Sequence, residues 1–234
     1  MTPIISLPFV RGLYLAIVVG LSATSVHAAT PAKSAPLPVA SEAQILQQPT
    51  AKEVLEIVYS PNQKSLYVSS PNWQDETLSR TLVLDPKTLA IQGEIPMEVK
   101  SFGVALDDAA NRLYLTQGFN GSIVAVDTTT NTVLKRIPIQ DKINFQDTIA
   151  AADFGQARKD GLLTMLERFK VTDDYQYKTR ELVVDKKNHR LFAPGLGLGF
   201  DSVLFVVNTD SLELEKIMPG FGYNVAGITT DEAN

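Results

Sequence analysis

Asn111-Arg112-Leu113-Tyr114-Leu115, followed by Ser122-Ile123-Val124-Ala125-Val126-Asp127, is a pattern that the chain repeats. Other copies lie at residues 64–68 with 80–85 and at residues 189–193 with 202–208. Each copy has two short apolar strands with a loop between them and a polar turn after them. A repeat of roughly 40–50 residues made of short strands is typical of a β-propeller blade. The sequence therefore predicts an all-β fold, a β-propeller of four-stranded antiparallel blades.

The repeat sets the boundaries of the predicted blades. The first blade occupies residues 54–95, the second residues 103–138 and the third residues 181–218. Residues 223–230 begin a further copy, and residues 230–234 match the turn at 107–111. We therefore expect about three blades and the start of a fourth, with the chain stopping inside the fourth.

An insertion at about residues 140–179 interrupts the period between the second and third blades. Within it, the apolar residues Leu162, Leu166 and Phe169 recur at helical spacing. This spacing predicts a short amphipathic helix over residues 156–170.

The first 28 residues have the features of a secretory signal peptide. Arg11 supplies the positive start, residues 13–21 are apolar, and Val26-His27-Ala28 resembles a cleavage site. An uncleaved membrane anchor is the alternative, although the apolar stretch is short for a bilayer. Residues 29–51, rich in proline, are predicted to be a flexible leader. Residues 52–234 are predicted to form the partial propeller.

The composition limits the class of protein. The chain has no cysteine and a formal net charge of −5. No disulfide framework is possible, which fits an exported bacterial protein that is held together by burial. The acidic balance argues against a generally basic, nucleic-acid-coating surface but leaves a local basic patch open. We expect no membrane span after residue 28.

The run Thr179-Arg180-Glu181-Leu182-Val183-Val184-Asp185, with Leu66-Tyr67-Val68 and Arg112-Leu113-Tyr114-Leu115, resembles the repeats of YncE-like periplasmic β-propellers of the YVTN-repeat group. The resemblance covers the chain after the signal peptide. It implies a seven-bladed ring in the bacterial periplasm, without established enzymatic chemistry and, in some members, with single-stranded DNA binding. The chain departs from that pattern in its number of blades and in its long insertion.

Loop length indicates which face binds. A four-stranded meander places its loops alternately on two faces, and here the second–third loops and the links between blades are long. Because rigid scaffolds carry binding groups on variable loops, we expect the ligand on this long-loop face. Trp73 and Phe119 lie in such loops and could stack on a flat ligand or a base. Packing of each ring against its own blade is the alternative.

Two further pairs complete the candidate ligand-binding residues. Arg180 and Glu181 lead into the innermost strand of the third blade, where they would offer a charged contact at the channel mouth. An inter-blade salt bridge is the alternative. Phe102 and Tyr223 are assigned to one repeat position in the second and fourth blades, with packing inside the ring as the alternative.

Signatures of enzymes are sparse. The chain has no thiol nucleophile, and its two histidines are His27, in the signal peptide, and His189, in a short turn. Catalytic triads and histidine-based metal sites are therefore not expected, and no cofactor is predicted. We expect a non-enzymatic periplasmic binding protein whose partner is single-stranded DNA or a periplasmic protein. A propeller enzyme of the lactonase or quinone-dependent dehydrogenase type, with its site in further blades, is the alternative.

Overall fold

The computed structural model describes residues 45–197, 199–225 and 227–231. The predicted signal peptide and residues 29–44 of the predicted leader lie outside the described residues. Residues 45–51 form neither helix nor strand. Within the described ranges, no helix is long and apolar enough to cross a membrane.

The first two blades are four-stranded antiparallel meanders in chain order. Blade one contains β1 (Ile57–Ser60), β2 (Ser65–Ser70), β3 (Arg80–Leu84) and β4 (Ile91–Pro96). Blade two contains β5 (Val104–Asp107), β6 (Arg112–Gln117), β7 (Ser122–Asp127) and β8 (Thr132–Pro138). A short 3-10 helix, Glu76–Leu78, lies in the loop between β2 and β3.

A small subdomain follows blade two, and we call it the lid (residues 142–175). It consists of β9 (Lys142–Asn144), α1 (Phe145–Ala151), α2 (Gln156–Phe169) and β10 (Asp173–Tyr175). The helix α2 confirms the helix predicted from apolar spacing. The strands β9 and β10 pair with each other, and Phe145, Ile149 and Leu166 form a small core with Phe200 of blade three.

Blade three follows the same meander with one difference. It contains β11 (Tyr177–Thr179), β12 (Val183–Asp185), β13 (Arg190–Gly197), β14 (Val203–Asn208) and β15 (Glu213–Met218). Both β11 and β12 pair with β13, so the innermost strand is broken at residues 180–182. The end of the predicted insertion, residues 177–179, therefore belongs to the sheet of blade three.

The turns of the blades repeat a local conformation. The left-handed backbone region is used at equivalent positions, by Lys64, Asn111 and His189 after the first strands and by Leu89, Asn131 and Leu212 before the fourth. The side chains of Asp85, Asp127 and Asn208 each accept two backbone N–H groups in the latter turns. Such side chains favour tight turns by bonding the backbone two and three residues on.

The hydrophobic core lies between the blades. Successive residues of a strand point to opposite faces, so both faces of blade two are buried. On one face Leu113 and Val124 pack with Tyr67 of blade one. On the other face Tyr114 and Ile123 pack with Phe205 and other residues of blade three. The first strands are also neighbours, since β5 contacts both β1 and β12. These features confirm the predicted propeller blades.

The predicted first strand of a fourth blade does not form in the described residues. Residues 219–225 and 227–231 contain no strand. Gly220, Gly222 and Asn224 have positive φ angles, which breaks the extended conformation that a strand requires. Ser202 holds this segment instead, since its N–H donates to Gly222 O at 2.6 Å and its Oγ accepts from Val225 N at 3.2 Å.

Candidate functional site

Three aromatic rings from two blades form a continuous strip on the long-loop face. The Trp73 and Phe102 ring centroids lie 5.6 Å apart, and those of Phe102 and Phe119 lie 5.4 Å apart. Phe102 is buried, whereas Trp73 is 46% and Phe119 is 45% exposed. The strip of Trp73, Phe102 and Phe119 therefore has a fixed central ring with a half-exposed ring on each side.

Lysines from three segments flank these rings. Lys100 Nζ lies 5.8 Å from the Trp73 ring centroid, and Lys178 Nζ lies 5.5 Å from that of Phe119. Tyr175 of the lid continues the arrangement, with Lys178 Nζ at 5.9 Å and Lys142 Nζ at 5.5 Å from its ring. A lysine thus lies beside each outer ring of the strip, and two lysines lie over Tyr175 of the lid; each such contact is attractive.

The lid is attached to this face through Lys178 and Tyr175. Lys178 Nζ donates to Asp174 Oδ2 at 2.7 Å, and its side chain is only 11% exposed. A β-carbon on Gly121 would lie 2.3 Å from the Tyr175 ring, so the ring lies directly on the loop between β6 and β7. Gln140 exchanges two hydrogen bonds with the backbone of Tyr177 at 2.6 and 3.0 Å. The lid therefore adds Tyr175 and Lys142 to the aromatic strip as part of a docked subdomain.

The strip leads to a small cavity beside the first strands, which we call the axis pocket. It measures about 170 Å³ and is lined by Leu55, Glu56, Phe102, Gly103, Arg180 and Glu181. These residues precede β1, β5 and β12, so the pocket lies where the first strands begin, on the long-loop face. The pocket therefore combines the central ring of the strip with three charged side chains.

Backbone packing holds the segment before β12 in place. The Thr116 hydroxyl donates to the carbonyl oxygen of Arg180 and accepts from the N–H of Gly103 at 2.9 Å. A β-carbon on Gly103 would lie 1.9 Å from that same carbonyl oxygen. Only glycine permits this approach, so Gly103 of blade two fixes the position of the segment that carries Arg180 and Glu181.

Glu56 is the most constrained charged group of the axis pocket. Its Oε2 accepts from Val104 N at 2.8 Å, which ties the start of β1 to the start of β5. Partial burial raises the pKa of Glu56, and the nearby Glu181 carboxylate raises it further, while the Val104 hydrogen bond and Arg180 act in the opposite direction. Glu181 makes the analogous contact two blades further along the chain, since its Oε2 accepts from Ile228 N at 3.4 Å.

Five of the six predicted site residues come together. Trp73, Phe102 and Phe119 form the strip, and Arg180 and Glu181 line the axis pocket beside Phe102. Both side chains of the charged pair are exposed, and within the described residues Arg180 makes no salt bridge. The inter-blade salt bridge that was the alternative for Arg180 is therefore not formed among the described residues.

Tyr223 lies elsewhere. Its ring is 55% exposed and belongs to a cleft between the lid and blade three, where the Arg158 guanidinium lies 5.1 Å from it and 3.9 Å from the Phe154 ring. Phe102, in contrast, is 6% exposed at the start of β5. The prediction that Phe102 and Tyr223 occupy one repeat position is wrong, because the irregular segment at Gly220 and Gly222 breaks the register of the repeat.

Sequence reasoning missed Glu56, Lys100 and Lys142. Glu56 shares a signal with Glu181, because both stand directly before the apolar residues of a first strand. The two lysines carry no such signal. Lys100 lies in the irregular link between blades one and two, and Lys142 lies in β9 of the lid, so their positions depend on the packing of the blades and on the docking of the lid. No group of three or more metal-ligating His, Cys, Asp or Glu side chains lies within the ranges that the structure describes.

Comparison with known proteins gives a distant relationship. The chain is 23% identical over 192 residues to the uncharacterized protein YncE of Escherichia coli O157:H7 and 22% identical over 192 residues to that of Escherichia coli K12. This chain is weakly homologous to the YncE proteins. The resemblance seen in the repeats is thereby confirmed. Each match covers 80% of this chain and 46% of the relative, so the chain spans about half the length of the curated relatives it matches.

No family model matches the chain. Among solved structures, Kuenenia stuttgartiensis hydrazine synthase matches 70% of this chain and 48% of its own, with 14% identity and a TM-score of 0.35. Dihydro-heme d1 dehydrogenase NirN in complex with DHE matches 71% of this chain and 28% of its own, with 14% identity and a TM-score of 0.42. The propeller assignment depends on the blades themselves rather than on these similarities.

Proposed function

We propose that this protein binds a single-stranded nucleic acid on the long-loop face, without catalysing a reaction. The observation that carries the proposal is the strip of aromatic rings across blades one and two, whose two outer rings are half-exposed and each have a lysine beside them. Proteins that hold single strands without sequence preference combine stacking rings with cations that track the backbone. Trp73 and Phe119 supply the rings, and Lys100 and Lys178 lie beside them.

The two outer rings are suited to stacking because they are supported but not covered. Each contacts Phe102, which is fixed between the blades, and each leaves about half of its surface open. A base that stacks on either ring therefore meets a preorganised surface, and few rotatable bonds of the protein lose freedom on binding. The value of one such contact is about 1–3 kcal/mol.

Charge sets the expected strength of the binding. The chain is acidic overall, with a formal net charge of −5, so a nucleic acid gains nothing from the average field of the protein. The local cations are few, and Lys178 is already paired with Asp174. We therefore expect modest affinity that depends on stacking more than on phosphate contacts.

Trp73 allows a direct test because it is the only tryptophan of the sequence. Titration with single-stranded oligothymidylate should change its intrinsic fluorescence, because a stacked base quenches the indole. Raising the salt concentration should weaken the binding, whereas a duplex of equal length should bind less tightly. An unchanged emission together with no binding would defeat the proposal. If the same rings instead bind a periplasmic protein, and salt does not weaken that binding, the partner is a protein rather than a nucleic acid.

A propeller enzyme of the lactonase or quinone-dependent dehydrogenase type is the competing hypothesis. It requires a metal or cofactor site on the first strands. The charged groups that line the axis pocket, where the first strands begin, are Glu56, Arg180 and Glu181. Turnover of a lactone or a quinone that is lost in Glu56→Gln would favour the enzyme over the binding protein.

Export to the periplasm is part of the same proposal. It rests on Arg11, on the apolar stretch at 13–21 and on the Val26-His27-Ala28 pattern. Cleavage after Ala28 would give a mature chain that starts at Ala29. Intact-mass measurement of the periplasmic fraction tests this, and a retained Met1 would contradict it.

A further inference from the structure

We propose that the axis pocket makes the binding of a polyanionic strand dependent on pH, with Glu56 as the group that weakens binding when it is ionised. This inference rests on the proposed function and adds its regulation. It arises from the juxtaposition of Glu56, Arg180 and Glu181 in one small cavity that shares the Phe102 ring with the aromatic strip.

The charges that face Glu56 come from one neighbouring segment. Arg180 and Glu181, which precede β12, are the charged groups that act on Glu56. Blade two presents the Val104 N–H and the Phe102 ring to the pocket. With both carboxylates ionised, the two negative charges outweigh the single positive charge of Arg180. The pocket then opposes the approach of a phosphate to the adjacent strip.

Protonation of Glu56 removes this excess of negative charge. The remaining Glu181 and Arg180 charges cancel, and Arg180 becomes available to a phosphate of the strand. Burial and Glu181 both move the titration of Glu56 above that of an ordinary glutamate, so the change begins at a pH where exposed carboxylates are still ionised. Affinity for the strand should therefore rise as the pH falls toward the range in which Glu56 takes up a proton.

The conservative change Glu56→Gln isolates this charge. The glutamine side-chain oxygen still accepts from Val104 N, so the link between β1 and β5 is kept while the charge is removed. A strand of thymidines is a suitable probe because thymine does not take up a proton in this range. The affinity of the full chain for oligothymidylate is measured by fluorescence anisotropy from about pH 8 to about pH 5.5 at fixed ionic strength.

Wild-type affinity should rise roughly threefold to tenfold over this range. Glu56→Gln should bind more tightly than wild type at the alkaline end, and its affinity should depend much less on pH. Glu181→Gln should tighten binding at the alkaline end and keep part of the pH dependence, because Glu56 still titrates. Two controls, Glu76→Gln in the Trp73 loop and His189→Gln in the turn between β12 and β13, should leave the wild-type profile unchanged.

The outcomes separate this inference from the proposed function. A flat wild-type profile, or a slope in Glu56→Gln as steep as that of wild type, overturns the inference while binding itself stands. A slope that disappears in His189→Gln assigns the effect to the opposite face and also overturns it. Absence of oligothymidylate binding at every pH overturns both the inference and the proposed function.

Discussion

The carbonyl oxygen of Arg180 lies against the α-carbon of Gly103, so closely that a β-carbon there would be 1.9 Å from it. Both atoms belong to backbone, and Thr116 holds them together by accepting from Gly103 N and donating to Arg180 O. Neither side can move without disturbing a first strand. This contact fixes the charged residues of blade three beside the aromatic strip of blades one and two.

Gly103→Ala should destabilise the protein by about 1–3 kcal/mol, because the added methyl group overlaps a backbone oxygen that cannot withdraw. The free energy of unfolding in urea measures this. Gly161→Ala is the matched control, since nothing lies within 4 Å of its β-carbon position in the middle of α2. It should stabilise by about 0.5–1 kcal/mol through helix propensity. Equal effects of the two changes would show that Gly103 is not tightly packed.

Tyr67 joins blade one to blade two by hydrogen bonds from its hydroxyl to Thr128 O at 3.2 Å and Asn131 Oδ1 at 3.1 Å. Tyr67→Phe removes the donor from a fully buried site and should cost about 1–2 kcal/mol. Tyr59→Phe is the control, because that ring is 47% exposed, and it should cost little. The urea midpoints of unfolding of the two variants test this. A Tyr67→Phe midpoint equal to that of wild type would contradict the proposed role of these hydrogen bonds.

The buried tyrosines also predict the response to alkali. Burial raises the pKa of Tyr67 to about 12 and that of Tyr114 to about 12. Above pH 10 the unfolded chain loses phenolic protons that the folded chain retains, so the free energy of unfolding should fall as the pH rises from 10 toward 12. Tyr67→Phe should flatten this fall, as measured by urea midpoints across that range. An unchanged slope would mean that Tyr67 ionises normally in the fold.

Lys178 should be needed for docking of the lid. Its ammonium group is ion-paired with Asp174 and lies over the rings of Phe119 and Tyr175. Lys178→Ala should weaken the docking by about 1–2 kcal/mol and raise hydrogen exchange of the β9 and β10 amides roughly tenfold. Lys142→Ala removes a more exposed cation over the same Tyr175 ring and should have a smaller effect. Comparable exchange in the two variants would argue against Lys178 as the anchor.

Much of the fold could be predicted from the sequence because each blade is local. Strands such as β6 and β7 follow from alternating apolar residues with turn residues at fixed offsets, and the repeat supplies the same evidence three times. The segment after β15 could not be predicted. Its apolar residues suggest a strand, but the positive φ angles of Gly220, Gly222 and Asn224 interrupt the extended conformation.

The candidate site was only partly predictable. Loop length was enough to place Trp73, Phe119 and Arg180 on one face, because a meander fixes the side on which each loop lies. Their contact through Phe102 depends on the packing of one blade on the next, which no local pattern encodes. The positions of Lys100 and Glu56 depend on the same packing, so these residues become visible only in three dimensions.

The affinity for single-stranded oligothymidylate in Trp73→Ala and Phe119→Ala, beside wild type, tests the central claim most directly. Each change should weaken binding by about 1–3 kcal/mol, a rise in Kd of roughly 5- to 150-fold, without lowering the urea midpoint. Phe169→Ala removes a 67% exposed ring of the lid outside the strip and should leave Kd unchanged. If all three variants bind oligothymidylate as tightly as wild type does, the claim that this strip is the binding surface is contradicted.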